Sequence, residues 1–343
     1  MPSSTSSSEP REIPTGRWGA TWLVALALAA AALYRLELLT RDGGQRPSVV
    51  DDPLLWSLAR HEVDGDPRLV AFLGASRMAI GYSPRAFAEA APELRGLQLS
   101  VSDNLPLTVL ADLADDEEFR GVAVLDLIEP EIADPLLLTD SQAWVDRSRT
   151  LWRVPGALAN RYLASHAQAR LAVLAVGGRR IVTSLAGKRR WPAPAWVAID
   201  RDRTSHGDYR LAEPAALRSK ADRRVAGLPP APAAAAWLAI LEHHLEPLVR
   251  RIRARGGDVV VVHMPISGRL AERVDELYPR RLYWDAFAAR SGAHVIHFRD
   301  LPAMADLACP DEMHLDQRDQ AAFTRSLVEA MRARGVLRGR GGP

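Results

Sequence analysis

Cysteine is nearly missing from this chain. Cys309 stands alone, so no intrachain disulfide and no CxxC metal site can form, and the redox compartment is left open. Lysine is almost as scarce: only Lys188 and Lys220 occur, and the remaining positive charge is arginine. A charge excess is also missing. The 44 basic residues face 42 acidic ones, and no long basic stripe with interleaved aromatics appears, which argues against nucleic acid as a partner. No HExxH, P-loop or dinucleotide-binding fingerprint is present, and the one glycine-dense stretch, 338–342, is a carboxyl-terminal tail. Neither a metal nor a cofactor is expected.

What is present begins with a membrane signal. Residues 1–17 are rich in Ser, Pro and Glu and predict a disordered tail. Residues 18–34 then carry no charge for seventeen positions, and Leu36, Leu38 and Leu39 prolong the run past Arg35 and Glu37, which can snorkel. That length sits at the short end of a bilayer span, with Trp18, Trp22 and Tyr34 where an aromatic belt would lie. A membrane anchor over 18–39 is the expectation; a cleaved signal peptide and a buried soluble helix are the alternatives. Arginines flank the run on both sides, so charge does not orient it. Residues 40–53 read as a linker.

From Arg68 the pattern becomes α/β. Strands are expected at 69–73, 96–101, 121–128, 258–264 and 293–298, with helices at 84–91, 105–113, 237–255 and 317–332. Apolar, β-branched strand runs alternating with helices imply a parallel sheet covered on both faces, within one domain over 54–335 and a short tail at 336–343. An insertion at about 135–235 interrupts it. Its first half, 144–185, looks helical, and its second half is rich in Arg, Pro and Ala without clear periodicity. Two readings of its basic, partly apolar stretch around 171–191 are open: a helical cap with a solvated basic face, or an amphipathic surface lying on anionic lipid.

The chemistry-bearing motifs lie at the two ends of this pattern. The run 69–73 stops at Gly74-Ala75-Ser76, a strand, a tight turn and the start of a helix. A serine there sits at the carboxyl end of a strand, beside N–H groups that favour developing negative charge, although Ser76 can equally act as a helix cap. Far along the chain, Asp311 and His314 stand three apart just before the final helix. That spacing lets the carboxylate hold one imidazole nitrogen and leave the other free to take a proton from a serine. Alternatively, Asp311 caps the final helix and His314 is merely exposed.

Together, the strand-end Gly-x-Ser and the Asp-x-x-His resemble the outer motif blocks of the SGNH (GDSL-like) hydrolase superfamily, over Arg68 to about Val328 apart from the insertion. The layout looks most like membrane-anchored bacterial members related to surface-polymer O-acetyltransferases. The resemblance implies a three-layer α/β/α sandwich of flavodoxin-like type. It also implies Ser76 as nucleophile, Asp311 as orienting acid, His314 as base, and a domain on the outer face of the inner membrane. The family's second block ends in a glycine whose N–H helps bind the oxyanion; here Asp103 stands in its place, with Asn104 beside it. The third block, Gly-x-Asn-Asp, is replaced by Ile128-Glu129-Pro130-Glu131.

Two further residues are candidate substrate contacts. His263 ends the strongest strand run, and its other reading is a buried structural histidine. Arg77 adjoins the nucleophile, and its other reading is a salt bridge with Asp103 or Glu129. The expected function is a membrane-anchored serine esterase or O-acyltransferase acting on an envelope glycan or lipid ester, with envelope proteins as possible partners. The alternative is an inactive relative that binds polysaccharide or assists envelope assembly.

Overall fold

The computed structural model describes residues 15–134, 139, 141–150, 153–188 and 190–337. Most of the expected amino-terminal tail, the nominal start of the insertion at 135 and residues 338–343 of the carboxyl-terminal tail lie outside the described residues. In chain order the strands are β1 (Leu69–Leu73), β2 (Arg95–Gln98), β3 (Val122–Asp126), β4 (Val197–Ile199), β5 (Ser205–Gly207), β6 (Asp258–His263) and β7 (His294–His297). β4 and β5 form a separate antiparallel hairpin. The other five build one parallel sheet in the order β2-β1-β3-β6-β7.

Counting only the parallel strands, this is the 2-1-3-4-5 order of flavodoxin-like folds, in which successive crossovers diverge between β1 and β3. Every residue of β1 and β3 is buried, as continuous apolar runs require when both faces of a sheet are covered. One helical layer pairs Pro84–Ala90 with Gln320–Ala333; another groups Leu107–Asp115 with Glu246–Ala254. The mixed α/β sandwich with a parallel central sheet, expected from sequence, is the observed fold.

Several local expectations need correction. The helix expected over 237–255 is two helices, Ala234–His244 and Glu246–Ala254. Pro247 separates them, because it lacks an N–H and its ring crowds the carbonyl four residues back. The strand expected over 96–101 stops at Gln98, where buried Arg203 takes the Gln98 and Ser100 carbonyls at 3.0 and 2.7 Å. The unpatterned half of the insertion holds the β4–β5 hairpin and a helix, Pro214–Ala226. The domain also runs past 335, since Val336 and Leu337 are buried.

Residues 40–53 are not a free tether. Gln45 donates to the Pro192 and Ala193 carbonyls, Val49 N–H pairs with Ile199 O, and Asp51 grips Arg203. Asp52 then caps helix Pro53–Arg60 by accepting from the Leu54 and Leu55 N–H groups. Preceding this segment is one continuous helix, Thr15–Asp42, whose 18–42 portion is long and apolar enough to cross a membrane. Trp22, Leu23, Leu26 and Leu28 on it are exposed, which contradicts a buried soluble helix. Length and composition suit a signal sequence equally well.

Arg203 joins the 48–52 segment, the sheet edge and the insertion. Replacing it with alanine removes a buried cation and strands Asp51 and two carbonyls. Arg203→Ala is expected to lower unfolding free energy by about 3–5 kcal/mol, seen as a lower Tm in melts of the full chain in detergent.

Candidate functional site

The site is built at the carboxyl edge of the sheet, at the β1/β3 divergence. Gly74 follows β1, and a Cβ there would lie 2.6 Å from Met78 Cβ, so the chain turns here only without a side chain. Helix Ser76–Gly81 follows directly. Its N-cap is Ala75, and the Ser76 hydroxyl is not used as a cap. Instead Ser76 Oγ lies 2.8 Å from His314 Nε2.

The partner comes from a turn ahead of the final helix. Asp311 Oδ1 accepts the N–H groups of Met313 and His314, at 3.2 and 2.8 Å, which fixes the turn. Its Oδ2 accepts the His314 Nδ1 proton at 2.8 Å. The final helix begins at Gln320 with Asp319 at its N-cap position, so Asp311 caps its own turn and not that helix. His314 is buried, not exposed. The structure thus brings Ser76, His314 and Asp311 into one hydrogen-bonded chain.

Electrostatics favour a neutral imidazole. Burial pushes the His314 pKa below its ordinary value, against the opposing pull of Asp311. Burial alone would raise Asp311, but hydrogen bonds from the His314 ring and backbone bring it well below the usual carboxylate range. Arg224 adds to this, donating to the Asp311 carbonyl at 2.8 Å with its guanidinium 3.6 Å from Oδ2.

Ser76 and His314 open on a cleft of about 430 Å³. Asp103 and Asn104 line it, from the loop after β2. Asp103 has φ of +61°, the left-handed conformation that glycine adopts freely and aspartate tolerates better than most. Glu131, after β3, lines the cleft as well. Sequence reasoning missed the opposite wall: Trp196, Val197 and Ile199 of the hairpin, and Lys220 and Arg224 of helix Pro214–Ala226. The i,i+4 spacing of that basic pair and the polar Asp200–Thr204 turn were the available signals. A separate cleft of about 360 Å³, bounded by Tyr82, Gln98 and Tyr162, contains none of the three hydrogen-bonded residues.

Two expected substrate contacts are elsewhere. Arg77 is 1% exposed and does not line the cleft. Its guanidinium lies 3.0 Å from Asp126 and 3.8 Å from Glu131, not against Asp103 or Glu129. One buried cation thus faces two carboxyls. Burial, reinforced by Asp126, pushes Glu131 up to about 7 despite Arg77, while burial also raises Asp126.

His263 is buried behind the site. Its Nδ1 is 2.9 Å from Met264 O and its Nε2 3.0 Å from Glu129 Oε2. The ring stacks on His297, whose pKa burial drives down to about 2. Among the described residues, Glu129, His263 and His297 are close enough to offer a metal three ligand atoms. Hydrogen bonding already engages them: His263 sits between two acceptors, and His297 Nδ1 accepts Arg299 N–H at 3.1 Å. The cluster reads as a buried polar network.

No protein-family model matches this chain, and no curated protein matches it. One solved structure, described as the crystal structure of TesA, is similar over 77% of this chain and 98% of that chain, with 12% identity and a TM-score of 0.35. A likeness that distant carries no statement about activity.

The hydrogen-bond chain sets a specific protonation state. At pH 7 His314 is expected as the neutral tautomer with its proton on Nδ1, since burial holds its pKa below the ordinary imidazole value. Imidazole ¹⁵N shifts of the full chain in micelles measure this directly; a ring already protonated at neutral pH would contradict the assigned geometry.

Proposed function

We propose that this chain is a membrane-anchored serine esterase or O-acyltransferase working through an acyl-Ser76 intermediate. The observation that carries the reading is the pair of 2.8 Å contacts linking Ser76 Oγ to His314 and His314 to Asp311. Ser76 Oγ attacks the carbonyl of an ester as its proton passes to His314 Nε2. Asp311 holds the tautomer and stabilises the imidazolium. The developing oxyanion is met by first-turn N–H groups of helix Ser76–Gly81, which have no intrahelical acceptor. His314 then returns the proton to the departing alkoxide, leaving the acyl group on Ser76. Water or a glycan hydroxyl, deprotonated by His314, completes the cycle.

Pro130 stands where the resembling family carries its third-block asparagine, and Glu131 beside it lines the cleft. Protonated, Glu131 is a hydrogen-bond donor beside the cleft; ionised, it opposes an oxyanion. A second reading, a non-catalytic relative that binds envelope polysaccharide, draws its support from this replacement.

Labelling of the full chain in detergent with a fluorophosphonate probe separates the two. Labelling is expected in the wild type and abolished in Ser76→Ala and His314→Ala, with Asp311→Asn slower by about 10⁴-fold. A folded wild type that never labels overturns the enzyme reading in favour of binding.

The pH profile tests the roles further. His314 must be deprotonated to act, so the labelling rate falls on the acid side, below the pH at which an ordinary imidazole titrates. Glu131 loses its donor proton above about 7, so the rate falls again on the alkaline side. Glu131→Gln is expected to erase only the alkaline fall; a 100-fold loss at every pH would remove Glu131 from this role.

A further inference from the structure

The end of the apolar helix is clamped to the insertion at two places. Glu37, three residues and about 4.5 Å along the axis beyond Tyr34, accepts the Ala172 and Val173 N–H groups, both at 2.9 Å. Arg41 donates to Arg170 O at 2.8 Å. Just beyond, the Trp191 indole lies against Gly43, and Gln45 holds the Pro192 and Ala193 carbonyls. The chain between those clamps is therefore pinned beside the point where the span leaves its apolar stretch.

That pinned chain contains helix Gly178–Leu185, preceded by the single turn Val173–Val176 that packs on the span. Ile181 faces the protein, whereas Val182 and Leu185 are 65% and 58% exposed and Leu174 is 42% exposed. Val182 and Leu185, three apart, share one helix face. Arg179, Arg180, Lys188 and Arg190 surround them and are exposed. From Arg170 to Ile199 the sequence has six basic residues and no acidic one, within a chain that is otherwise nearly balanced. Apolar residues ringed by cations at the mouth of a span match the chemistry of an anionic headgroup layer.

We propose that helix Gly178–Leu185 is an interfacial helix that seats the insertion on an anionic phospholipid bilayer beside the span. Val182 and Leu185 enter the boundary between headgroups and acyl chains. The basic residues around them pair with lipid phosphates. This inference rests on the apolar helix being retained as an anchor, and its test separates the two.

The full chain carries one environment-sensitive fluorophore on an introduced cysteine, at Val182→Cys, Leu28→Cys or Glu117→Cys. Native Cys309 is buried. Each variant is reconstituted into phosphatidylcholine vesicles, with or without phosphatidylglycerol, that contain doxyl-quencher lipid. The Val182 label is expected to be blue-shifted and quenched in anionic vesicles, and the Glu117 label, ahead of the sheet's amino-terminal edge, to be neither. Neutralisation by Arg179→Gln and Arg180→Gln is expected to reduce the docked population by roughly fivefold per residue, and about 0.5 M salt to weaken it by screening.

A Val182 label that behaves like the Glu117 label, while Leu28 is quenched, overturns the interfacial helix and leaves the anchor standing. Equal quenching at Val182 without phosphatidylglycerol overturns the anionic selectivity. An unquenched Leu28 label overturns the anchor itself, and the inference with it.

Discussion

The hydrogen bond between Ser76 and His314 joins residues 238 positions apart. Closing a chain of that length costs about 5 kcal/mol of entropy, whereas a hydrogen bond returns only about 1 kcal/mol net. The bond is therefore a product of the fold and not its cause. What holds it is the parallel sheet. β1 delivers Ser76 and the chain beyond β7 delivers Asp311 and His314 to the same carboxyl edge, while buried apolar runs supply the energy that keeps the strands aligned.

Beneath that edge lies a charge arrangement with little freedom. Arg77, next in sequence to Ser76, is sealed under the site with Asp126 from β3 and Glu131 from the following turn. A single buried cation offsets one carboxylate well and a second poorly. The charge state of Glu131, at the cleft wall, is thus set from below. Arg77 ties helix Ser76–Gly81 to the end of β3, so the position of Ser76 and the charge of Glu131 on the cleft wall are coupled through one side chain.

The sheet and the hydrogen-bonded residues were legible in sequence because each leaves a local mark. β-Branched runs announce buried strands, and a strand ending in Gly-x-Ser or a turn of Asp-x-x-His is short enough to be read where it stands. Other features are set by distant partners. Nothing around Arg77 indicates that Asp126 will face it instead of Asp103 or Glu129. Nothing around His263 reveals that Glu129 and His297 will enclose it, away from the cleft. The 40–53 segment looks like a linker because its partners, Arg203 and the 192–199 backbone, lie some 150 residues away. Pro247 is a different case: its effect is local, and the helix break there was available to a reading that weighed proline above amphipathic periodicity.

The clamp at Glu37 has a mechanical consequence. A transmembrane helix that meets its domain through a floppy connector can tilt to suit bilayers of different thickness without moving the domain. Here the helix runs unbroken to Asp42, Glu37 fastens it to the insertion, and residues 45–52 are bonded onward. If the helix is kept as the proposed anchor, a change of tilt forced by hydrophobic mismatch becomes a rotation of the whole body, because no hinge separates the two among residues 37–52. Under the proposed anchor and esterase reading, the height of the Ser76 cleft above the lipid, and so the length of substrate that reaches it, is geared to membrane thickness.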